Sequence, residues 1–157
     1  MNFDREVYYH ARTRKQLDRP FTNSEMLCAP TGIMNPGRYN HPGQSYYYFT
    51  DEICGCKKEM KKHHKNEIVQ IARIKPSRSI TMIDLSGSIK HANTLLRYIR
   101  FSKGNEEVPK EYLIPCYISD CCRKIGIEGI KYRGSDEYSN YVCWNSGYFK
   151  FIDMNDY

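Results

Sequence analysis

One arginine stands in the middle of a segment suited to a turn, GRYNHPG at residues 37–43. Two glycines and a proline shape the backbone there, so little side-chain bulk crowds Arg38. An uncrowded guanidinium can donate two parallel hydrogen bonds to the oxygens of a phosphate. The segment therefore predicts either an ordinary turn or a turn that holds an anion, with Arg38 as the anion-binding residue.

A tyrosine and a glutamate follow Arg38 along the chain. Tyr48 lies in SYYYFT, which is rich in strand-forming aromatic residues, and Glu59 lies in the lysine-rich segment after it, which predicts a helix. If the strand packs against the helix, Arg38, Tyr48 and Glu59 converge although they are distant in sequence. The alternative for Glu59 is an ion pair with Lys58 or Lys62 in solvent, without any chemistry.

A second group of polar residues lies in GIEGIKYRGSDEYSNYVCW, residues 126–144. Gly134 and Ser135 are predicted to turn the chain between two strands, and Asn140 begins the second of them. A serine that follows a glycine at the end of a strand can present both its hydroxyl and its backbone N–H to a ligand. The same residues are also common in turns that bind nothing.

Several other kinds of site have no support in the sequence. There is no HExxH, no GxSxG, no GxGxxG after the first predicted strand and no GxxxxGK[ST]. Their absence argues against a zinc protease, an α/β-hydrolase and the two common nucleotide-binding loops. The seven cysteines lack the paired CxxC spacing of a zinc site and are expected to be free thiols. A metal shared by Cys56 and His63 on one helix face is the weaker alternative, and we expect no metal site.

Composition and charge narrow the class of protein. The chain has 157 residues, which fits one domain over residues 1–157, and Lys plus Arg outnumber Asp plus Glu by 24 to 18. The net charge of +6 favours a polyanionic partner, either a nucleic acid or a phosphate-bearing small molecule. We expect a cytoplasmic protein without a membrane span, because no apolar segment is long enough and no signal peptide is apparent. The 14 tyrosines would suit the surface of a homodimer.

The predicted strands and helices that must position these residues do not alternate regularly along the chain. Strands are predicted at residues 7–9, 45–50, 67–74, 79–85, 129–135, 140–145 and 149–153. Helices are predicted at residues 51–64, 91–101 and 116–125, the first with Asp51 as its cap and Glu52 in its first turn. The polar segment 12–36 is predicted to be a loop. Because strands outnumber helices and do not alternate with them, we predict an α+β fold with a mixed, mainly antiparallel sheet and flanking helices.

Taken in order, these segments resemble the RES domain family, which is named for an arginine, a glutamate and a serine. GRYNHPGQSYYYFTDEICGCKKEM is similar to that family's GRxNPxG, followed by a strand with a tyrosine and a helix that ends in glutamate. YLIPCYISDCCRKIGIEGIKYRGSDEYSNYVCW is similar to its later YLxxQ, helix and GxDGIxYxSS-N segments. YYHAR resembles its short first strand with an arginine, so the resemblance spans nearly the whole chain.

The resemblance places family residues on this chain one by one. The family's arginine, tyrosine, glutamate and serine fall on Arg38, Tyr48, Glu59 and Ser135. A second arginine falls on Arg12, with Arg14 and Arg19 as nearby alternatives. Three positions depart from the family pattern, where a proline, a glutamine and a serine are common: His41, Cys116 and Gly134.

An ADP-ribosyltransferase-like fold and an NAD-degrading activity are what the resemblance implies. NAD would be the substrate, cleaved by hydrolysis or by phosphorolysis with inorganic phosphate as a second substrate, and no cofactor is implied. The enzyme would act as the toxin of a toxin–antitoxin pair, with an antitoxin protein as its partner. Its catalytic residues would be Glu59, Arg38 and Ser135, and its substrate-binding residues Arg12, Tyr48 and Asn140.

Each implied role fits the chemistry of its residue. Glu59 would stabilise the ribose cation that forms as nicotinamide departs, so one carboxylate would suffice. The arginines would hold phosphates, Tyr48 would stack on the nicotinamide ring or shape its pocket, and Ser135 and Asn140 would bind hydroxyl groups. Two alternatives remain open, namely transfer of ADP-ribose to a protein or nucleic acid, and a nucleic-acid-binding module without catalysis that uses the basic segment 57–65. The resemblance assigns no role to His41.

Overall fold

Seven strands and two helices make up the regular structure of the part of the chain that the computed structural model describes, residues 6–28, 30–63, 67–87, 112–135 and 137–157. In chain order they are β1 (Tyr8–Arg14), β2 (Tyr47–Thr50), α1 (Ile53–His63), β3 (Ile68–Pro76), β4 (Met82–Asp84), α2 (Leu113–Lys124), β5 (Gly129–Arg133), β6 (Ser139–Cys143) and β7 (Phe149–Asp156). A short 3₁₀ turn, Ser146–Tyr148, precedes β7.

All seven strands join one sheet in the order β4-β5-β6-β2-β1-β3-β7. Every neighbouring pair is antiparallel except β4 with β5, which run parallel. The prediction of an α+β fold with a mixed, mainly antiparallel sheet and flanking helices is therefore confirmed. None of the described helices combines the length and the apolar character needed to cross a bilayer.

The sheet opens at its centre, between β1 and β2. Strand β1 pairs with β3 along its whole length, from Tyr8 to Arg14, but its ladder with β2 holds one residue pair, Tyr9 with Thr50. Strand β2 in turn pairs with β6 along all four of its residues. Because both strands are held firmly by their outer neighbours, they diverge beyond the Tyr9–Thr50 pair and leave a split in the sheet.

Aromatic side chains fill the core on one face of this sheet. The rings of Phe49 and Tyr141 stack at 5.2 Å between centroids, and Tyr8 meets Phe49 edge-on at 5.5 Å. A separate apolar cluster, which includes Cys56 and Ile71, packs where α1 meets the sheet. The rigid strands and helix that border the split are thus fixed by burial of large side chains.

Strand β1 is longer than its sequence indicated. The prediction ended it at residue 9 and assigned Arg12 and Arg14 to a loop, which was wrong, because these polar residues continue the ladder with β3. Arg14 is only 8% exposed, and its guanidinium pairs with Asp156 on β7. The sequence pattern therefore indicated a loop at a strand residue whose buried guanidinium has a distant partner.

Helix and strand ends also differ from the predictions. Helix α1 begins at Ile53, so Glu52 precedes its first turn, and the carboxylate of Asp51 accepts a hydrogen bond from the backbone N–H of Ser139 on β6. Helix α2 begins three residues before the predicted start, because Pro115 is tolerated within a first turn. The predicted strand 79–85 shortens to β4, and the predicted helix 91–101 lies outside the described residues.

Candidate active site

A cleft of about 1120 Å³ lies at the split between β1 and β2. Residues 10–12 of β1 line one side of it and residues 47–50 of β2 line another. Residues of the 33–40 loop, helix α1 and the end of β5 complete the wall. All six residues proposed from the sequence are among those that line this β1–β2 cleft, namely Arg12, Arg38, Tyr48, Glu59, Ser135 and Asn140.

Arg38 is presented to the cleft by a tight turn. The backbones of Gly37 and Asn40 exchange hydrogen bonds of 3.2 and 3.3 Å, which closes the turn around Arg38. A Cβ atom at Gly37 would lie 2.4 Å from the side-chain oxygen of Asn40 and 2.8 Å from the hydroxyl of Tyr48, so only glycine fits. The Arg38 guanidinium lies 5.6 Å from the ring centroid of Tyr132, within cation–π range.

Tyr48 fastens this turn to the sheet. Its hydroxyl donates to the side-chain oxygen of Asn40 at 2.8 Å and accepts from the backbone N–H of Tyr39 at 3.1 Å. The side-chain amide of Asn40, in turn, donates to backbone carbonyls of the same loop. Burial raises the pKa of Tyr48 well above its ordinary value, so its hydroxyl stays protonated and able to donate. The polar end of Tyr48 thus positions the loop that carries Arg38.

His41 faces helix α2 and is not among the residues that line the cleft. Its Nε2 atom lies 3.0 Å from a carboxylate oxygen of Asp120, and its backbone N–H donates to the side chain of Gln44. Ser119, one residue before Asp120, donates to the carbonyl of Tyr39 at 2.7 Å. The histidine that replaces the family's proline therefore ties the Arg38 loop to α2.

Glu59 projects from α1 toward β6. Its Oε1 atom accepts hydrogen bonds from the hydroxyl of Tyr138 at 2.7 Å and from the side-chain amide of Asn140 at 3.2 Å. Lys58, a sequence-based candidate to pair with Glu59, forms its ion pair with Glu137. The side chain of Lys62, the other candidate, lies outside the described part of the structure. The two hydrogen bonds that Oε1 accepts from neutral groups favour the ionised form of Glu59.

Tyr138 was not identified from the sequence, and it links both polar segments. A Cβ atom at Gly55 would lie 2.6 Å from its ring, and a Cβ atom at Gly134 would lie 2.2 Å from it. The ring therefore fits between two glycines, one on α1 and one at the end of β5. This packing explains why glycine occupies position 134 where the family commonly has a serine.

Ser135 lies at the rim of the cleft in the turn before β6. Its backbone N–H donates to the carbonyl of Tyr138 at 3.1 Å, and its hydroxyl oxygen accepts from the backbone N–H of Glu137 at 3.1 Å. Because the oxygen is the acceptor in that contact, the Ser135 O–H can donate to a ligand. The sequence pattern also indicated the backbone N–H of Ser135 as a donor to a ligand, but the structure uses that N–H within the turn.

Arg12 is the arginine of the first segment that reaches the cleft. Its guanidinium lies 4.5 Å from the ring centroid of Phe21 and donates to the backbone carbonyl of Glu25. Arg14 pairs with Asp156 away from the cleft, and Arg19 forms an exposed pair with the Glu25 carboxylate.

A third arginine, Arg133 at the end of β5, also lines the cleft and was missed in the sequence. Among the described residues that line the cleft, three are arginines and one, Glu59, is acidic. An excess of positive charge suits a ligand with two phosphates, and the single carboxylate suits a cationic centre beside them. Among the described residues, no cluster of three or more His, Cys, Asp or Glu could hold a metal ion.

Comparisons with known proteins identify the fold and the family of the chain. The chain resembles a chain of the crystal structure of the M. tuberculosis MbcT–MbcA toxin–antitoxin complex, with a TM-score of 0.61 and 11% identity, over 99% of this chain and 86% of the other. At that identity the likeness shows the fold alone. No curated protein matches the chain. The family model of the RES domain matches residues 7–155. Because that match spans nearly the whole sequence, the chain belongs to the RES domain family.

Proposed function

We propose that the protein cleaves the bond between nicotinamide and ribose in NAD, with water or inorganic phosphate as the acceptor of ADP-ribose. The observation that carries this proposal is the position of Glu59. Among the described residues it is the one carboxylate that lines the cleft, its Oε1 accepts hydrogen bonds from Tyr138 and Asn140, and three arginines line the same cleft.

The reaction needs one anionic side chain and no general acid. The C1′–N bond breaks with its electron pair moving to the nicotinamide nitrogen, which is already cationic and leaves as a neutral molecule. Positive charge develops at C1′ and on the ring oxygen, where Glu59 stabilises it. An oxygen of water or phosphate then bonds to C1′, and a water nucleophile releases its proton to solvent.

The arginines hold the other half of the substrate. Arg38 and Arg12 bind the pyrophosphate, because guanidinium groups match phosphate oxygens in geometry and charge. Ser135 and Asn140 bind hydroxyl groups of the ribose. Tyr48 contributes the edge of its ring to the nicotinamide pocket, since its hydroxyl is used within the Arg38 loop.

A toxin of a toxin–antitoxin pair is the biological role that the family and the MbcT–MbcA neighbour support. Loss of NAD in the cytoplasm would stop growth, and a cognate antitoxin protein would prevent it. Induced expression in growing bacteria should therefore halt growth and deplete NAD. Expression of a Glu59→Gln variant should do neither.

The decisive experiment measures release of nicotinamide from NAD by the purified protein, with and without phosphate. Free ADP-ribose identifies hydrolysis, ADP-ribose 1″-phosphate identifies phosphorolysis, and label on a macromolecule identifies transfer. Glu59→Gln should lower kcat about 100- to 1,000-fold, the scale of a lost electrostatic contact in a transition state. Asp153→Asn is the matched control, because Asp153 pairs with Arg73 outside the cleft. Equal loss in both variants, or no nicotinamide release by the unmodified protein, would contradict the proposal.

A further inference from the structure

His10 occupies the split between β1 and β2. Its ring stacks on Tyr47 with centroids 4.4 Å apart and 28° between the planes. Its Nδ1 atom lies 2.7 Å from the backbone carbonyl oxygen of Tyr48. This side-chain contact bridges the strands just beyond the Tyr9–Thr50 pair, where their own ladder ends.

The contact with Tyr48 fixes which ring nitrogen carries the hydrogen. A carbonyl oxygen can only accept, so Nδ1 is the donor. Burial is the main cause that lowers the pKa of His10 to about 4; the hydrogen bond to Tyr48 opposes this shift, and the charge of Arg12 adds to it. At neutral pH the ring is therefore uncharged, and its Nε2 atom is an acceptor.

That acceptor has no partner within the protein as described. Nε2 of His10 is buried and makes no hydrogen bond to any described residue. Native proteins pair nearly all of their buried polar atoms, because an unpaired one has lost its hydrogen bonds to water without a replacement. His10 is among the residues that line the β1–β2 cleft, and the apolar part of that lining includes Phe49, Cys56 and Met60. A flat, mostly apolar ring that carries an N–H donor would suit such surroundings.

We propose that Nε2 of His10 accepts a hydrogen bond from the carboxamide of nicotinamide and thereby selects NAD over its carboxylate analogue, nicotinic acid adenine dinucleotide. The inference rests on the proposed function and adds the residue that recognises the leaving group. A carboxamide offers N–H donors, whereas a carboxylate offers acceptors alone. The carboxylate oxygens would therefore be repelled by the lone pair of Nε2. Arg12 is the cation nearest to His10 in sequence and could attract such a carboxylate. Its guanidinium, however, lies over the Phe21 ring and donates to the Glu25 carbonyl.

Two substitutions separate recognition from structure. His10→Phe keeps an aromatic ring to stack on Tyr47 and removes both nitrogens. His10→Asn loses the stack but keeps an amide that can donate to the Tyr48 carbonyl in place of Nδ1. Both variants lack the Nε2 acceptor, so both should lose the selectivity although they damage the surroundings in different ways.

The measurement is the ratio of kcat/KM for NAD to that for nicotinic acid adenine dinucleotide. The unmodified protein should prefer NAD at least about tenfold, the value of one hydrogen bond, and each variant should bring the ratio to within about threefold of one. A merely structural defect lowers both rates together and leaves the ratio unchanged. The ratio therefore reports recognition even in a variant of reduced stability.

Three results would overturn the inference. The first is equal use of both dinucleotides by the unmodified protein, which would overturn the inference even if neither variant folds. An unchanged ratio in the variants would mean that His10 contacts a group common to both substrates, such as a ribose hydroxyl. NAD cleavage in those two cases leaves the proposed function intact. Absence of nicotinamide or nicotinate release from either dinucleotide would instead reject the proposed function and this inference together.

Discussion

The hydroxyl of Tyr138 donates to Oε1 of Glu59 at 2.7 Å, and the same oxygen accepts from Asn140 at 3.2 Å. Asn140 lies in β6, and Tyr138 directly precedes that strand, two residues away. One short segment of the chain thus supplies both donors to a carboxylate on α1. Burial and the Glu59 contact raise the pKa of Tyr138, which keeps its hydroxyl protonated at neutral pH.

Replacing Tyr138 by phenylalanine should reduce catalysis more than binding. The ring can still pack between Gly55 and Gly134, but Glu59 loses its shorter hydrogen bond. We expect kcat for NAD cleavage to fall about tenfold with KM changed less than about threefold, because hydrogen bonds to charged groups are worth about 1.5–3 kcal/mol. Tyr117→Phe, on the exposed face of α2, is the control and should behave as the unmodified protein. An unchanged kcat in Tyr138→Phe would show that Glu59 needs no such support.

Restoring the family's serine at position 134 should destabilise this protein. Gly134 does not have a left-handed backbone, so the penalty arises from contact with the Tyr138 ring alone. Gly134→Ser should lower the free energy of unfolding by about 1–3 kcal/mol in urea titrations. In a Tyr138→Ala background the same serine should cost less than about 0.5 kcal/mol. An equal cost in both backgrounds would mean that the ring is not the cause.

Sequence patterns predicted the fold class because strand and helix signals act locally. Three local patterns identified the right type of element, namely the aromatic run at Tyr47–Thr50, the alternation at Ile68–Pro76, and the proline in the first turn of α2 with the glycine after its end. The length of β1 escaped prediction because it depends on a distant contact. Its polar residue Arg14 pairs with Asp156, which is 142 positions away, and no local pattern reports that.

The site was predictable where it depends on residue type and order, and not where it depends on packing. Arg38, Tyr48 and Glu59 were found because their order resembles a known family, and the structure brings them to one cleft. Tyr138 was missed because its importance arises from a fit between Gly55 and Gly134, which are far apart in the chain. The one signal that could have identified it was its position two residues before Asn140, the first residue of the predicted strand 140–145.

Removing the Arg38 guanidinium should weaken binding of NAD. Arg38→Ala is expected to raise KM about tenfold to a hundredfold, since a charge-assisted hydrogen bond to phosphate contributes about 1.5–3 kcal/mol. Arg38→Lys should recover part of this loss, because lysine keeps the charge but not the paired donors. Arg73→Ala, which removes an arginine from a surface pair with Asp153, serves as the charge-matched control. Steady-state kinetics in which all three variants share one KM would exclude Arg38 from the substrate site.

His41 should matter little to activity although it lies in the same loop. Its pair with Asp120 is partly exposed to solvent at both side chains, and such pairs contribute about 0–1 kcal/mol. We expect His41→Ala to keep kcat/KM within about twofold of the unmodified value. The neighbouring variant Asn40→Ala should lose most of its activity, because buried Asn40 accepts from Tyr48 and donates to three loop carbonyls. Similar losses in the two variants would contradict the separate roles given to these residues.

His10 should make the protein less stable as the pH falls below about 6.5. In the unfolded chain a histidine binds a proton near that pH, whereas in the folded protein the pKa of His10 is about 4. Between these values the unfolded state holds the additional proton, so the free energy of unfolding decreases by up to about 3 kcal/mol on acidification. Urea titrations at pH 7 and at pH 4.5 should therefore show a smaller decrease for His10→Phe than for the unmodified protein. Acidic groups common to both proteins cancel in this comparison, so parallel decreases would show that the pKa of His10 is the same in the folded and unfolded states and would contradict its burial as a neutral ring.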